Sequence, residues 1–110
     1  MNDKIKLLEL ANKQIASNEA FLAYFLAQYS EIEHVTAEAT MEMLECNYEN
    51  YYKLGLCKAP ITTHANYITE LNKVADYIGI SAIVLNKIIR RVDTIMQLRN
   101  SNTENYLMAA

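Results

Sequence analysis

Leu71-Asn72-Lys73-Val74-Ala75-Asp76-Tyr77-Ile78-Gly79-Ile80-Ser81-Ala82-Ile83-Val84-Leu85-Asn86-Lys87-Ile88-Ile89-Arg90 reads as two helices meeting at a glycine. Leu71, Ala75 and Ile78 recur at spacings of four and three, so they share one face of a helix. Gly79 supplies the positive φ that ends a helix without a steric penalty. Ser81 is suited to cap the next helix by accepting from a backbone N–H in its first turn. Beyond it Leu85, Ile88, Val92 and Ile95 form a second apolar stripe. The small Ala75 lets the two helices cross closely, while Leu85 and Ile88 pack one on the other. The expected product is a sharp corner that leaves Ser81, Ala82, Ile83, Asn86, Lys87 and Arg90 facing outward.

Similar signals recur upstream. Asp3 is placed to cap a first helix with Ile5, Leu8, Ala11 or Asn12, and Ile15 on one face. Ser17 or Asn18 caps a second, whose body Phe21-Leu22-Ala23-Tyr24-Phe25-Leu26-Ala27 is apolar on every side and so belongs in the middle of a bundle. Thr36 opens a short helix reaching about Leu44, with Glu38 near its positive end. Asn47 opens a fourth, carrying Tyr48, Tyr51, Tyr52 and Leu54, with a Glu49–Lys53 pair one turn apart and Gly55 suited to a left-handed stop. Residues 56–60 connect to a fifth helix opened by Thr62 or Thr63, with Tyr67 or Ile68 at the start of its inward face. Only two glycines and one proline punctuate the chain, far fewer than a domain of short strands needs. The fold class is therefore all-α: one domain over residues 1–110, a compact bundle of about six helices, with a polar spacer at 100–105 and a short tail at 106–110.

The small residue Ala75 four before Gly79, flanked by Val74 and Ile78 and followed by Ile80, Leu85 and Ile88, resembles the helix-turn-helix superfamily over residues 71–90. A degenerate second copy is offset by 34 residues, over 37–56: Leu44 answers Ile78, Cys46 answers Ile80, Asn47 answers Ser81, Tyr51 answers Leu85 and Leu54 answers Ile88. Glu45 stands there for Gly79 and Met41 for Ala75, a departure at both positions that set the turn. The same period is found in tetratricopeptide arrays, whose tryptophan and glycine pattern is missing here. The resemblance implies a helix-turn-helix-like C-terminal half. In DNA binders of that superfamily the second helix lies in the major groove, where Asn86, Lys87 and Arg90 have the chemistry to read bases or hold phosphate.

Composition excludes other classes. Apolar residues make up 52% of the chain against 21% charged, far from the signature of disorder. The longest apolar run, Ala20 to Ala27, is far shorter than the roughly 20 residues of a membrane span. Glu9 and Asn12 interrupt the apolar run beside Lys4 and Lys6, so no signal peptide is read and a cytoplasmic address is expected. Cys46 and Cys57 supply neither a disulfide framework nor a zinc site and are expected as buried free thiols. His34 has Glu38 one turn on but no second ligand pair, and His64 precedes a different helix. No phosphate loop, nucleophile elbow or HExxH segment occurs. The chain is thus read as non-enzymatic, with no catalytic residue, no metal and no cofactor.

Charge is segregated along a chain of net charge −3. Glu31, Glu33, Glu38, Glu42, Glu45 and Glu49 occupy residues 31–49 with no Lys or Arg, whereas residues 53–99 carry a net +4. Such a dipolar molecule turns a basic face to nucleic acid or an acidic face to a basic partner. Two functions follow. One is a small regulatory protein, expected as a homodimer, binding DNA through Ser81, Asn86, Lys87, Arg90 and Arg91. The other is a protein-binding adaptor or inhibitor that uses Ile83, Val84 and Ile89, with Tyr48 and Tyr52 extending the patch.

Overall fold

A computed structural model of the chain describes residues 2–109, with side chains described for residues 2–100. Six helices follow in order: α1 Asp3–Ile15, α2 Leu22–Glu33, α3 Ala37–Leu44, α4 Tyr48–Gly55, α5 Tyr67–Ile78 and α6 Ala82–Ala109. The all-α bundle of about six helices is what the periodicity implies. Helix α2 is its hub, packing on α1, α3, α4 and α6. Leu22, Ala23, Phe25 and Leu26 are all buried along it, which is why its apolar residues run round the helix instead of along one stripe. The core continues through Met41 and Leu44 of α3, Tyr51 and Leu54 of α4, Tyr67, Leu71, Ala75 and Ile78 of α5, and Leu85, Ile88, Ile89 and Val92 of α6.

Capping explains most helix starts. Thr36 Oγ1 accepts from Ala39 N at 3.1 Å, Asn47 Oδ1 from Asn50 N at 2.9 Å, and Ser81 Oγ from Val84 N at 3.3 Å. Three starts differ from expectation. Asn2, not Asp3, caps α1, accepting from Ile5 N at 2.9 Å, while Asp3 lies in the first turn, where its charge suits the helix dipole. Asn18 spends its side chain on Ala20 N at 3.0 Å instead of capping α2. Phe21 is held extended between the bonds Ala59 N→Ala20 O at 2.8 Å and Leu22 N→Cys57 O at 3.0 Å, so α2 begins only at Leu22. Thr62 donates to the Asp93 carboxylate of α6, which ties down a loop of turns and delays α5 to Tyr67. This resolves the inward position in favour of Tyr67, which is buried, over Ile68, which is exposed.

Gly55 needs another explanation than the one its position suggests. It takes no left-handed conformation, and α4 includes it as its last residue. A Cβ there would lie 1.7 Å from Asn12 Oδ1 and 3.3 Å from the Ala23 side chain, so only a bare Cα lets α1, α2 and α4 come this close. Asn12, 9% exposed, donates through Nδ2 to Leu8 O at 2.9 Å and to Tyr52 O at 2.8 Å, pinning α1 to α4. Lys4 and Glu49, 3.1 Å apart, add a surface link between the same helices.

Helical backbone in α6 runs through residues 100–105, where the polar composition had suggested a spacer. Without Gly or Pro in that stretch nothing in the chain forces a break. The expected apolar tail, Tyr106-Leu107-Met108, lies outside the residues whose side chains are described. Among the described residues no helix is long and apolar enough to cross a membrane.

Candidate functional site

The turn between α5 and α6 is built by Gly79 at φ 87°, ψ 41°. Gly79 N and Ile80 N both donate to Ala75 O, at 2.8 and 3.0 Å, and Leu85 N donates to Ser81 O at 3.1 Å. The turn between α3 and α4 has the same construction 34 residues earlier. Glu45 adopts φ 54°, ψ 47°, Cys46 N donates to Met41 O at 3.0 Å, and Tyr51 N donates to Asn47 O at 2.9 Å. Each is the partner of a bond in the later corner. Met41, Leu44, Tyr51 and Leu54 are buried as their counterparts Ala75, Ile78, Leu85 and Ile88 are. A glutamate thus does the geometric task of glycine in the first corner, at the conformational cost that a Cβ carries in the left-handed region.

On α6 the exposed residues Ile83, Lys87, Arg90, Arg91, Thr94 and Leu98 fall within roughly 100° of the helix circumference. No Asp or Glu interrupts this arc. Ser81 is also exposed at the start of the helix, its hydroxyl engaged in the cap. Asn86 is half-buried, and its carboxamide oxygen accepts from the Tyr67 hydroxyl at 2.7 Å and from Arg90 Nε at 3.3 Å. The Arg90 guanidinium lies 4.8 Å from the centroid of the Tyr67 ring, in cation–π contact. Burial pushes the Tyr67 phenol up, against the opposing pull of Arg90, so the ring remains a neutral hydroxyl donor at neutral pH. Bidentate pairing with adenine needs both ends of an Asn carboxamide, and here one end is already occupied. Asn86 is therefore placed to orient Arg90 more than to read a base.

Arg91 is tied to α2, its Nε donating to Glu33 Oε1 at 2.6 Å. Lys87 makes no hydrogen bond or ion pair among the described residues. Beside these side chains α2 and α6 leave a shallow groove of about 350 Å³, lined by Tyr29 and Glu33 of α2 and Lys87, Arg90, Arg91 and Thr94 of α6. Linear spacing gives no hint of Glu33 or Tyr29, because they come from a helix more than fifty residues away. A larger depression of about 770 Å³ lies where residues 58–63 meet α2 and α6, but it mixes Lys58 with Glu19 and Asp93, and the Asp93 carboxylate is engaged by Thr62.

The residues expected to form an apolar partner surface do not stay together. Ile83 is 76% exposed, and Tyr77, at the end of α5, is 74% exposed. Val84 is half-buried against the core. Ile89 is fully buried, a correction to the expectation: in a helix packed on both α2 and α5 the buried arc is wide enough to take in positions 88 and 89 together. Tyr48 and Tyr52 stack on each other with centroids 6.3 Å apart and are half-buried on the side of α1 and α3. There the Tyr48 hydroxyl donates to Glu38 at 3.0 Å and Asn12 bonds the Tyr52 carbonyl. Their contacts are internal, and they do not extend the Ile83 surface.

Cys46 and Cys57 are free and half-buried, and burial pushes both thiols up, away from the reactive thiolate. Among the described residues no group of His, Cys, Asp or Glu is arranged to hold a metal ion. No protein-family model matches this chain, and neither a curated protein nor a solved structure matches it.

Proposed function

We propose that this protein is a small, non-enzymatic regulator that binds duplex DNA through the first half of α6. The single observation that carries the proposal is the exposed arc of Ile83, Lys87, Arg90, Arg91 and Thr94, basic and free of acidic residues in a chain whose net charge is −3. The corner at Gly79 sets this arc on a helix whose exposed start is capped by Ser81, the arrangement used by helix-turn-helix proteins to enter a major groove. Lys87, Arg90 and Arg91 supply charge for backbone phosphates, and Ile83 supplies an apolar contact of the type that thymine methyls accept. Asn86 acts through Arg90. A homodimer would double a footprint that is modest in one copy, and two free thiols suit a reducing compartment such as the cytoplasm. The test is a binding assay on mixed-sequence duplex at two salt concentrations. Affinity should fall steeply with salt, and the pair Lys87→Glu and Arg90→Glu should abolish it. Absence of salt-dependent binding by the intact chain would refute the proposal.

A second reading rests on a different observation. Ile83 and Tyr77 are each about three-quarters exposed near the same corner, more apolar surface than a solvated turn requires. A protein partner seated there would make the molecule an adaptor or inhibitor. Loss of a complex on Ile83→Asp, with DNA binding absent throughout, would favour this reading over the first.

A further inference from the structure

We infer that the groove between α2 and α6 is a seat for a single phosphoryl group. Three cations, Lys87, Arg90 and Arg91, face it against one carboxylate, Glu33. Both arginines spend Nε inside the molecule, Arg90 on Asn86 Oδ1 at 3.3 Å and Arg91 on Glu33 Oε1 at 2.6 Å. A guanidinium bonded through Nε keeps its two terminal amino groups as donors. Among the described residues those groups have no hydrogen-bond acceptor. The Tyr67 ring under Arg90 and the Glu33 carboxylate beside Arg91 have already fixed the two side chains, so little rotamer freedom is left to lose when an anion arrives.

The remaining groups fit the same ligand. Lys87 contributes a compact charge with no internal partner, and Thr94 a hydroxyl at the rim. Tyr29 directs its hydroxyl at the Met43 sulfur, 3.7 Å away, an acceptor weak enough to be given up. A tetrahedral oxyanion offers several acceptors in directions that two planar forks and an ammonium can meet together, which a flat carboxylate does less completely. The seat itself rests on this geometry. Its assignment to a backbone phosphate of duplex DNA rests on the function proposed above, the other source being the phosphate of a small mobile ester. Glu33 sets the occupancy, because its charge competes with the phosphate for Arg91.

The experiment uses the intact chain and two probes, inorganic phosphate against chloride at matched ionic strength and a 20-base-pair duplex, read by the Nε–H resonances of Arg90 and Arg91. Duplex affinity is measured in parallel for Lys87→Ala, Arg90→Ala and Glu33→Gln. Lys87→Ala breaks no internal contact, so it is informative even if Arg90→Ala unsettles Tyr67. Each lost cation should weaken duplex binding and lower the salt slope by about one. Glu33→Gln should tighten binding on the order of threefold, the effect of one nearby like charge in water. Shifts with both probes, together with that opposite sign for Glu33→Gln, establish the seat with DNA as its source. Shifts with phosphate alone keep the seat, assign it to a small ester and refute DNA binding. A duplex that binds with the arginine signals unmoved and Lys87→Ala unchanged overturns the seat while leaving DNA binding intact. No response to either probe overturns both.

Discussion

Replacing Gly55 by alanine puts a methyl where Asn12 Oδ1 now sits, 1.7 Å from the new carbon, with Asn12 Cγ at 2.8 Å and Ala23 Cβ at 3.3 Å on the other side. Asn12 cannot shift by that much and keep both of its bonds, to Leu8 O and Tyr52 O. Losing two part-buried hydrogen bonds costs about 1 kcal/mol each, and crowding a packed junction adds about 1–3 kcal/mol. Alanine returns up to about 1 kcal/mol through its higher helix propensity. The net expectation is a loss of about 2–4 kcal/mol, or a melting temperature lower on the order of 10 °C in a domain of this size. Chemical denaturation of wild type, Asn12→Ala, Gly55→Ala and the double variant gives the full cycle. With the carboxamide gone the methyl has room, so Gly55→Ala should cost at least about 1 kcal/mol less in the Asn12→Ala background. The reasoning fails if Gly55→Ala is as stable as wild type, or if its cost is the same in both backgrounds.

Three further outcomes are expected. At the two left-handed turn positions the substitutions should act in opposite directions: Glu45→Gly raising stability by up to about 1 kcal/mol and Gly79→Ala lowering it by about 1–2 kcal/mol through conformation alone, since a Cβ on Gly79 meets nothing within 4 Å. Equal signs in urea melts would contradict this. Burial holds the Tyr51 phenol up at about 12. Its folded pKa is raised above the unfolded value of about 10, so its contribution is complete below pH ~10 and is lost as pH climbs towards ~12, roughly 2–3 kcal/mol in all. Melts at pH 9 to 11 should therefore fall more steeply for wild type than for Tyr51→Phe, and parallel curves would exclude Tyr51 as the cause. Finally, Ile83→Asp should alter stability by no more than about 0.5 kcal/mol whereas Ile89→Asp should cost more than about 4 kcal/mol; comparable melts would mean that the exposure of 76% at Ile83 and 0% at Ile89 misplaces α6.

Much of the fold is legible because local chemistry and tertiary packing agree at the places that matter. Thr36, Asn47 and Ser81 cap the helices that their side chains favour, and Gly79 takes the turn that its missing Cβ permits. The exceptions arise where a long-range contact outbids a local preference. Asn18 and Thr62 look like caps, but pairing of residues 20–22 with 57–59 and the bond to Asp93 claim those segments first. Gly55 looks like a stop because closeness to Asn12 leaves no trace in a one-dimensional pattern. The first corner's turn is hidden for the opposite reason, since Glu45 occupies a conformation that its side chain disfavours. At the candidate site the charges Lys87, Arg90 and Arg91 can be read from the sequence. The fixing of the two arginines by Tyr67, Asn86 and Glu33 cannot, because it joins three helices.

The position of α2 has a consequence for biosynthesis. Leu22, Phe25 and Leu26 emerge from the ribosome long before Ile88, Ile89 and Val92, which close over the same core. Until translation reaches the last helix, the nascent chain carries an adhesive segment whose natural cover has not yet been made. Chains arrested ahead of α6 would be the ones to clump or to engage a chaperone.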